Sequence, residues 1–388
     1  MAQRGRGGHP ARTVLEQLIR DRQQTFEEFV NYAEEFAQEN KEPGTLSLRH
    51  LQRLVAGRRS DGSALGPVRP ATARLLERIF SMDIDELLEA PPPVEVISDS
   101  TGELRQMIST SRRVDSAVIS LLGEQLNTIR KIDRQLGAVV AHEEVKTKAR
   151  QVGRLLSHSL HPHMRAQLAG LLSELHTLAG WQALDIGSVS ESWQHYERAK
   201  SAAIESGTLS FETHSLAEQA FVLLDLGQPG DAVDILADVR ARADRSCSHL
   251  FRAWLAAAHG EALAADSRRS ESLHAFDEAA NLLPIDSMNF DGPYVALDST
   301  HLARWRGHAL ARFGDAEAVA VLSSALDRLD PSFTRAETAL RVDLATALAT
   351  LGERDAAREH ATVARQLAAD IGSARQDRRL RALTNRLR

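Results

Sequence analysis

The chain has 388 residues, of which 43% are apolar and only 5% aromatic, and its formal charge is −6. That length exceeds what one core sustains, so two or three units are expected, and the acidic balance confines any nucleic-acid contact to a local patch. Ala and Leu dominate the apolar residues and favour helices over strands, so the predicted fold class is all-α. No secretory h-region and no apolar run of about 18 residues occurs, which predicts a cytoplasmic protein without membrane contact. A single cysteine, Cys247, excludes an internal disulfide and reads as a small buried hydrophobe.

Residues 1–11 form a Gly/Arg-rich tail that cannot bury a face and is expected to be disordered. A four-helix domain is predicted over residues 12–89. Its first helix runs from about Thr13 to Gln23 with Val14, Leu15, Leu18 and Ile19 inward. Thr25 and Glu28 make a capping box that opens the second helix, which carries Phe26, Phe29, Val30, Ala33, Phe36 and Ala37 and stops at Asn40 to Gly44. Ser47 is the natural N-cap of the third helix and Gly57 its C′ residue. After a loop from Ser60 to Val68, Pro70 starts a fourth helix bearing Ala73, Leu75, Leu76, Ile79 and Phe80, and the run from Met82 to Leu88 closes the domain.

The third helix carries the sharpest functional signal. Leu48, Leu51, Leu54 and Val55 recur at helical spacing on one stripe, so Arg49, His50, Gln52 and Arg53 project from the other side. Between Pro43 and Ser60 stand four arginines and a histidine with no acid, although residues 1–90 together carry 13 Lys and Arg against 14 Asp and Glu. Such a helix suits the reading of a polar surface: a guanidinium fork matches guanine O6 and N7, and a glutamine amide matches adenine. The second helix carries Glu27, Glu28, Glu34, Glu35 and Glu39, which must face away from any phosphate backbone.

Ala90 to Pro93 extends the chain, and residues 90–102 read as a linker. Residues 103–168 read as connecting helices. Their stripe of Val114, Val118, Leu121, Leu122, Ile129, Ile132, Leu136 and Val139 needs cover from the next domain or from a second chain, so a homodimer is one expectation. Residues 169–388 repeat. Ser192, Ala232, Ser272, Ala318 and Ala357 each follow a turn residue (Gly187, Gly227, Ser267, Gly314, Gly352), and seven positions on come Ala199, Val239, Ala279, Ala325 and Ala364. Between these small residues Tyr196, Leu236, Phe276 and Leu322 fill the gap to the preceding helix. A near-constant period, broken once by the insertion from Pro284 to Asp298, predicts an α-solenoid.

Within that array Gly260, Phe276, Ala279 and Pro284 resemble tetratricopeptide-repeat marks, over roughly residues 175–372. The N-terminal domain resembles the lambda-repressor/Cro-type helix-turn-helix, and the whole layout looks like actinobacterial helix-turn-helix regulators with tetratricopeptide-like repeats. The resemblance implies that the third helix enters the major groove. Carried over to this chain, it puts Leu48, Arg49, Gln52 and Arg53 at base-reading positions, with Ser47 and His50 beside them and Arg58 and Arg59 at the phosphates. Double-stranded DNA is the implied partner, with a cytoplasmic location on the nucleoid when bound.

Enzyme readings find no support in the sequence. His158, His161 and His163 flank a proline and lack an acidic or cysteine neighbour, and the run from His142 to Lys146 fails HExxH because Lys146 replaces the second histidine. No phosphate loop, dinucleotide fingerprint or nucleophile elbow is present, so no metal, cofactor or catalytic residue is expected. His301, Arg304, Trp305, Arg306 and His308 crowd one helix after the insertion. Either Trp305 and Leu302 are core and the charges solvated, or a concave face places His301, Arg304, Trp305 and His308 around a peptide, small anionic effector or protein partner. The expected function is a sequence-specific regulator whose repeats sense a partner. The alternative is a repeat-based interaction scaffold that does not bind DNA.

Overall fold

A computed structural model describes residues 11–22, 24–57, 66, 68–91, 100–243, 247–284 and 292–387. Among them are nineteen helices and no strand. The smaller unit, residues 1–103, holds α1 (Val14–Asp21), α2 (Phe26–Glu39), α3 (Leu48–Ala56), α4 (Pro70–Phe80) and α5 (Ile84–Leu88). The larger, residues 104–388, begins within α6 (Ser100–Ser111) and continues with α7 (Ser116–Leu136), α8 (Ala138–Ser157), α9 (Pro162–Asp185) and α10 (Val189–Ser206). Then follow α11 (Leu209–Asp225), α12 (Pro229–Arg242), α13 (His249–Ala265), α14 (Arg269–Leu282), α15 (Ser299–Arg312), α16 (Glu317–Arg328), α17 (Thr334–Thr350), α18 (Arg354–Asp370) and α19 (Ala374–Leu387). No helix among the described residues is long and apolar enough to cross a membrane.

In the smaller unit Leu15, Ile19, Phe29, Ala33, Leu51, Leu75, Leu76 and Leu87 are fully buried in one core. The helix starts lie where the side chains dictate. Thr13 accepts the Glu16 N–H, and Thr25 and Glu28 form the reciprocal capping box. Gly44 is obligatory between α2 and α3, because a Cβ there would stand 2.4 Å from the Ala71 carbonyl oxygen of α4.

In the larger unit successive helices pair as antiparallel hairpins, α9 with α10 through α17 with α18, and α19 packs on α17 and α18. The turn residues foreseen in the sequence all adopt left-handed backbone: Gly187, Gly227, Gly314 and Gly352, and Ser267 at φ 62°. The gap-filling side chains meet glycines on the preceding helix. A Cβ at Gly180 would lie 2.9 Å from the Tyr196 ring, and one at Gly260 would lie 3.0 Å from Phe276. Ser192 and Ser272 lock the same crossings by donating to the Gly180 and Gly260 carbonyls at 2.7 and 2.8 Å. Small residues at the period therefore set how closely two helices approach.

Residues 103–168 do not stand apart. Val114, Leu122, Leu126, Ile129, Val145 and Val152 share a core with Leu168, Leu175 and Ala179 of α9. Three members of the foreseen stripe, Leu121, Leu136 and Val139, lie outside that core and are more than half exposed.

Candidate functional site

Two places gather the residues singled out in the sequence. The first is α3. Its core face buries Leu51, Leu54 and Val55, so the helix cannot roll, and its opposite face exposes Arg49, Gln52 and Arg53. Ser47 caps the start through the His50 N–H, and Gly57 ends the helix at φ 67°. Leu48 and His50 are half-buried rather than projecting freely. Among the described residues Arg49 and Arg53 make no ion pair, and the α2 carboxylates Glu27, Glu28, Glu34, Glu35 and Glu39 are exposed without engaging them. Arg58 and Arg59 lie outside the described residues. Arg69, at the start of α4, joins the ridge unforeseen: partial burial and then the charges of Arg53 and Arg69 hold the His50 imidazole below its ordinary value. It was illegible in the sequence because a loop separates it from α3.

The second place is a partly open cavity of about 480 Å³ in the larger unit, lined from α7, α9, α11, α13, α15, α17 and α19 and from the insertion before α15. His301, Arg304, Trp305 and His308 all face it. Leu302 is core, as one sequence reading has it, yet Arg304 is turned inward rather than solvated. One wall is aromatic: the Phe221 ring lies 6.4 Å from Trp181, 6.4 Å from Trp254 and 5.9 Å from Trp305. Tyr294 is clamped beside it, with its N–H on Glu174 at 3.0 Å, its hydroxyl accepting from Arg134 at 2.7 Å and Arg130 over its ring at 4.3 Å.

Seven arginines and seven carboxyl groups line the cavity, and most are already matched. Arg130 pairs with Glu174, Arg335 with Asp133 at 2.6 Å, Arg379 with Asp343 at 2.5 Å, and Arg375 with Asp225 at 2.9 Å. His308 meets Glu261 at 2.8 Å, and His301 meets Asp298 at 2.9 Å, which holds the Asp298 carboxyl down to about 2. Arg304 makes no such ion pair among the described residues, although the charges of Asp343 and Glu261 act on it. Burial holds its guanidinium below the ordinary value, and its Nε is enclosed without a hydrogen bond. Glu218, by contrast, is pushed up to about 8 by burial and so is neutral at pH 7, while burial holds His214 down to about 3. The lining therefore carries an excess of positive charge centred on Arg304. Thr177 Oγ1, His214 Nε2 and Arg335 Nη1 are also buried without hydrogen bonds, while Arg335 Nε and Asp185 Oδ2 pair with each other at 3.5 Å. Orphaned polar atoms converging on one space call for an occupant that bonds them. Arg130, Arg134, Tyr294, Arg335, Arg375 and Arg379 were not foreseen, since α7, the insertion, α17 and α19, which supply them, lie far apart in the sequence and no local spacing links them.

His161 and His163 are exposed, but His163 lies in the first turn of α9, which Pro162 opens rather than breaks, and His158 is half-buried. Cys247 is buried.

No protein-family model and no curated protein sequence matches the chain. Among solved structures, a Podosopora anserina protein of nearly identical TPR-like repeats is 20% identical, covers 54% of this chain and 97% of its own, and superposes with a TM-score of 0.35. Bacillus thuringiensis PlcR, in complex with the peptide PapR7 and DNA, is 14% identical, covering 81% of this chain and 93% of its own, with a TM-score of 0.36. Values this low transfer no property of those proteins to this one.

Proposed function

We propose that the chain is a sequence-specific DNA-binding transcriptional regulator, without enzymatic activity, whose helical repeats sense a small ligand or peptide bearing a carboxylate. The observation that carries the DNA half is the α3 face: Arg49, Gln52 and Arg53 stand free on a helix held rigidly by its opposite stripe, with Arg69 beside them. Arg49 and Arg53 contact guanine edges, Gln52 an adenine, and the surrounding cations the phosphates, with Ser47, Leu48 and His50 positioning the helix. Arg58 and Arg59 extend this basic run in the sequence. The observation that supports the sensing half is the unmatched Arg304 among orphaned polar atoms and an aromatic wall: a carboxylate joins Arg304, and an apolar body lies on Phe221, Trp254 and Trp305. A homodimer would let ligand-dependent repeat curvature set the spacing of two α3 helices on DNA, with the protein at the nucleoid when bound.

The test selects bound duplexes from a random pool with the full chain at two salt concentrations. Wild type is expected to enrich a defined sequence, and Arg49→Ala or Arg53→Ala to reduce its preference by about 10- to 100-fold, with non-specific binding retained. Equal, negligible binding by wild type and both variants refutes the regulator and leaves a helical-repeat scaffold.

A further inference from the structure

A cluster contributed by α8 and α10 is used by neither function. His142 of α8 and Glu191 and His195 of α10 bring two imidazole nitrogens and a carboxylate oxygen within 4.8 Å of one another. His142 Nε2 lies 3.4 Å from Glu191 Oε1, and His195 Nε2 lies 3.8 Å from the same oxygen. Both histidine side chains are buried, while Glu191 is open to an adjoining cleft between α8 and α10. We propose that these three side chains form a binding site for a divalent cation of borderline character, zinc(II) foremost.

Donor and acceptor roles leave lone pairs facing one another here. Gln182 gives its amide N–H to Asp133 Oδ1 at 2.9 Å, so its Oε1 is the atom turned to His142 Nδ1 at 3.3 Å. That oxygen only accepts, so Nδ1 carries the proton and Nε2 of the neutral ring is a bare lone pair. It faces Glu191, another acceptor. His195 Nδ1 is 3.0 Å from His176 Nδ1, a contact that places one proton between the two rings. With that proton on His195, its Nε2 is likewise a lone pair aimed at Glu191. A proton added at His142 satisfies one of these contacts, whereas a metal ion satisfies all three donors together. Ligand atoms of a four-coordinate zinc stand about 3.4 Å apart for bonds near 2.0–2.1 Å, so the present separations need only small side-chain rotations. The His142–Gln182–Asp133 chain is the hydrogen-bonded support that fixes the tautomer and orientation of a metal-bound histidine.

A resident cation shows where positive charge is wanted. Lys146 places Nζ 3.2 Å from Glu191 Oε1 and 2.6 Å from Glu143, at the very position that spoils an HExxH reading of the sequence. It competes with the metal for Glu191 and retains Glu143 when displaced. Solvent from the cleft completes the coordination.

Full-length protein, freed of any tag and stripped with a chelator, is titrated with zinc(II), and bound metal is counted after dialysis. Wild type is expected to retain one zinc per chain. Glu191→Gln, which changes a single atom on a half-exposed side chain, and His195→Gln are expected to weaken retention at least about 100-fold with unchanged helical circular dichroism. Lys146→Met is expected to tighten it about tenfold, an effect no merely structural role for these residues produces. Cobalt(II) substitution should give visible bands that Glu191→Gln abolishes. The proposal is overturned if wild type retains no zinc, if Glu191→Gln retains it as well as wild type, or if retention is lost in a His161→Ala/His163→Ala variant instead.

Discussion

Replacing Glu218 by glutamine should remove a pH-dependent weakness of the repeat unit. In the folded protein burial raises this carboxyl to about 8 from an ordinary 4.5, and the Tyr196 hydroxyl lies 3.4 Å from its Oε2. At pH 7 the unfolded chain ionises Glu218 while the folded chain keeps the proton. The folded pKa is the higher one, so this group's contribution is fully present below pH 4.5 and is lost as pH rises towards 8. The difference between pH 4.5 and 7 amounts to about 3 kcal/mol at 1.36 kcal/mol per decade. Glutamine matches the shape, offers an oxygen to Tyr196 and cannot ionise, so the variant should equal wild type near pH 4.5 and exceed it by about 3 kcal/mol at pH 7. All four tryptophans, Trp181, Trp193, Trp254 and Trp305, lie in the larger unit, so urea unfolding followed by their fluorescence reads that unit alone. Other titrating groups are common to both proteins and cancel in the comparison. Parallel stability curves from pH 5 to 8 would show that Glu218 is solvated or already ionised, and the cationic character assigned to the cavity would fall with it.

Ser267 holds φ 62° in a turn where the other repeats place glycine, so Ser267→Gly should stabilise the unit by about 1 kcal/mol, and an unchanged or lowered urea midpoint would contradict the left-handed turn. Gly260→Val drives side-chain carbon into the Phe276 ring and should cost about 1–3 kcal/mol, partly restored by Phe276→Leu in the same chain. Burial holds His214 at about 3, below its unfolded value of 6.5; its stabilisation is therefore complete above pH 6.5 and is lost as pH falls towards 3. His214→Gln should flatten the acid limb of the fluorescence-monitored stability curve by about 4 kcal/mol over that span. Arg304→Met should leave helicity intact and abolish binding of any carboxylate ligand found for the cavity, checked by calorimetric titration.

Local rules in this sequence reached far. Thr13, Thr25, Ser47 and Gly57 mark helix ends by hydrogen bonds and dihedrals that involve only near neighbours. The small residues spaced by the repeat, and Tyr196 and Phe276 between them, encode the hairpin contact itself, because one turn fixes which helix they meet. The exposed face of α3 followed from helical periodicity for the same reason. What tertiary structure alone decided is what depends on distant parts of the chain meeting. Arg304 looked like a solvated charge until the array wrapped it against Asp343 and Glu261, which are not its sequence neighbours. Tyr294 became a cavity wall only because Arg130 and Arg134 of α7 reach it. His142 met Glu191 and His195 across about 50 positions, a separation at which no local spacing links them. Helix ends and hairpins are set by interactions a few residues long, whereas the charge balance and burial of a cavity are properties of the assembled unit.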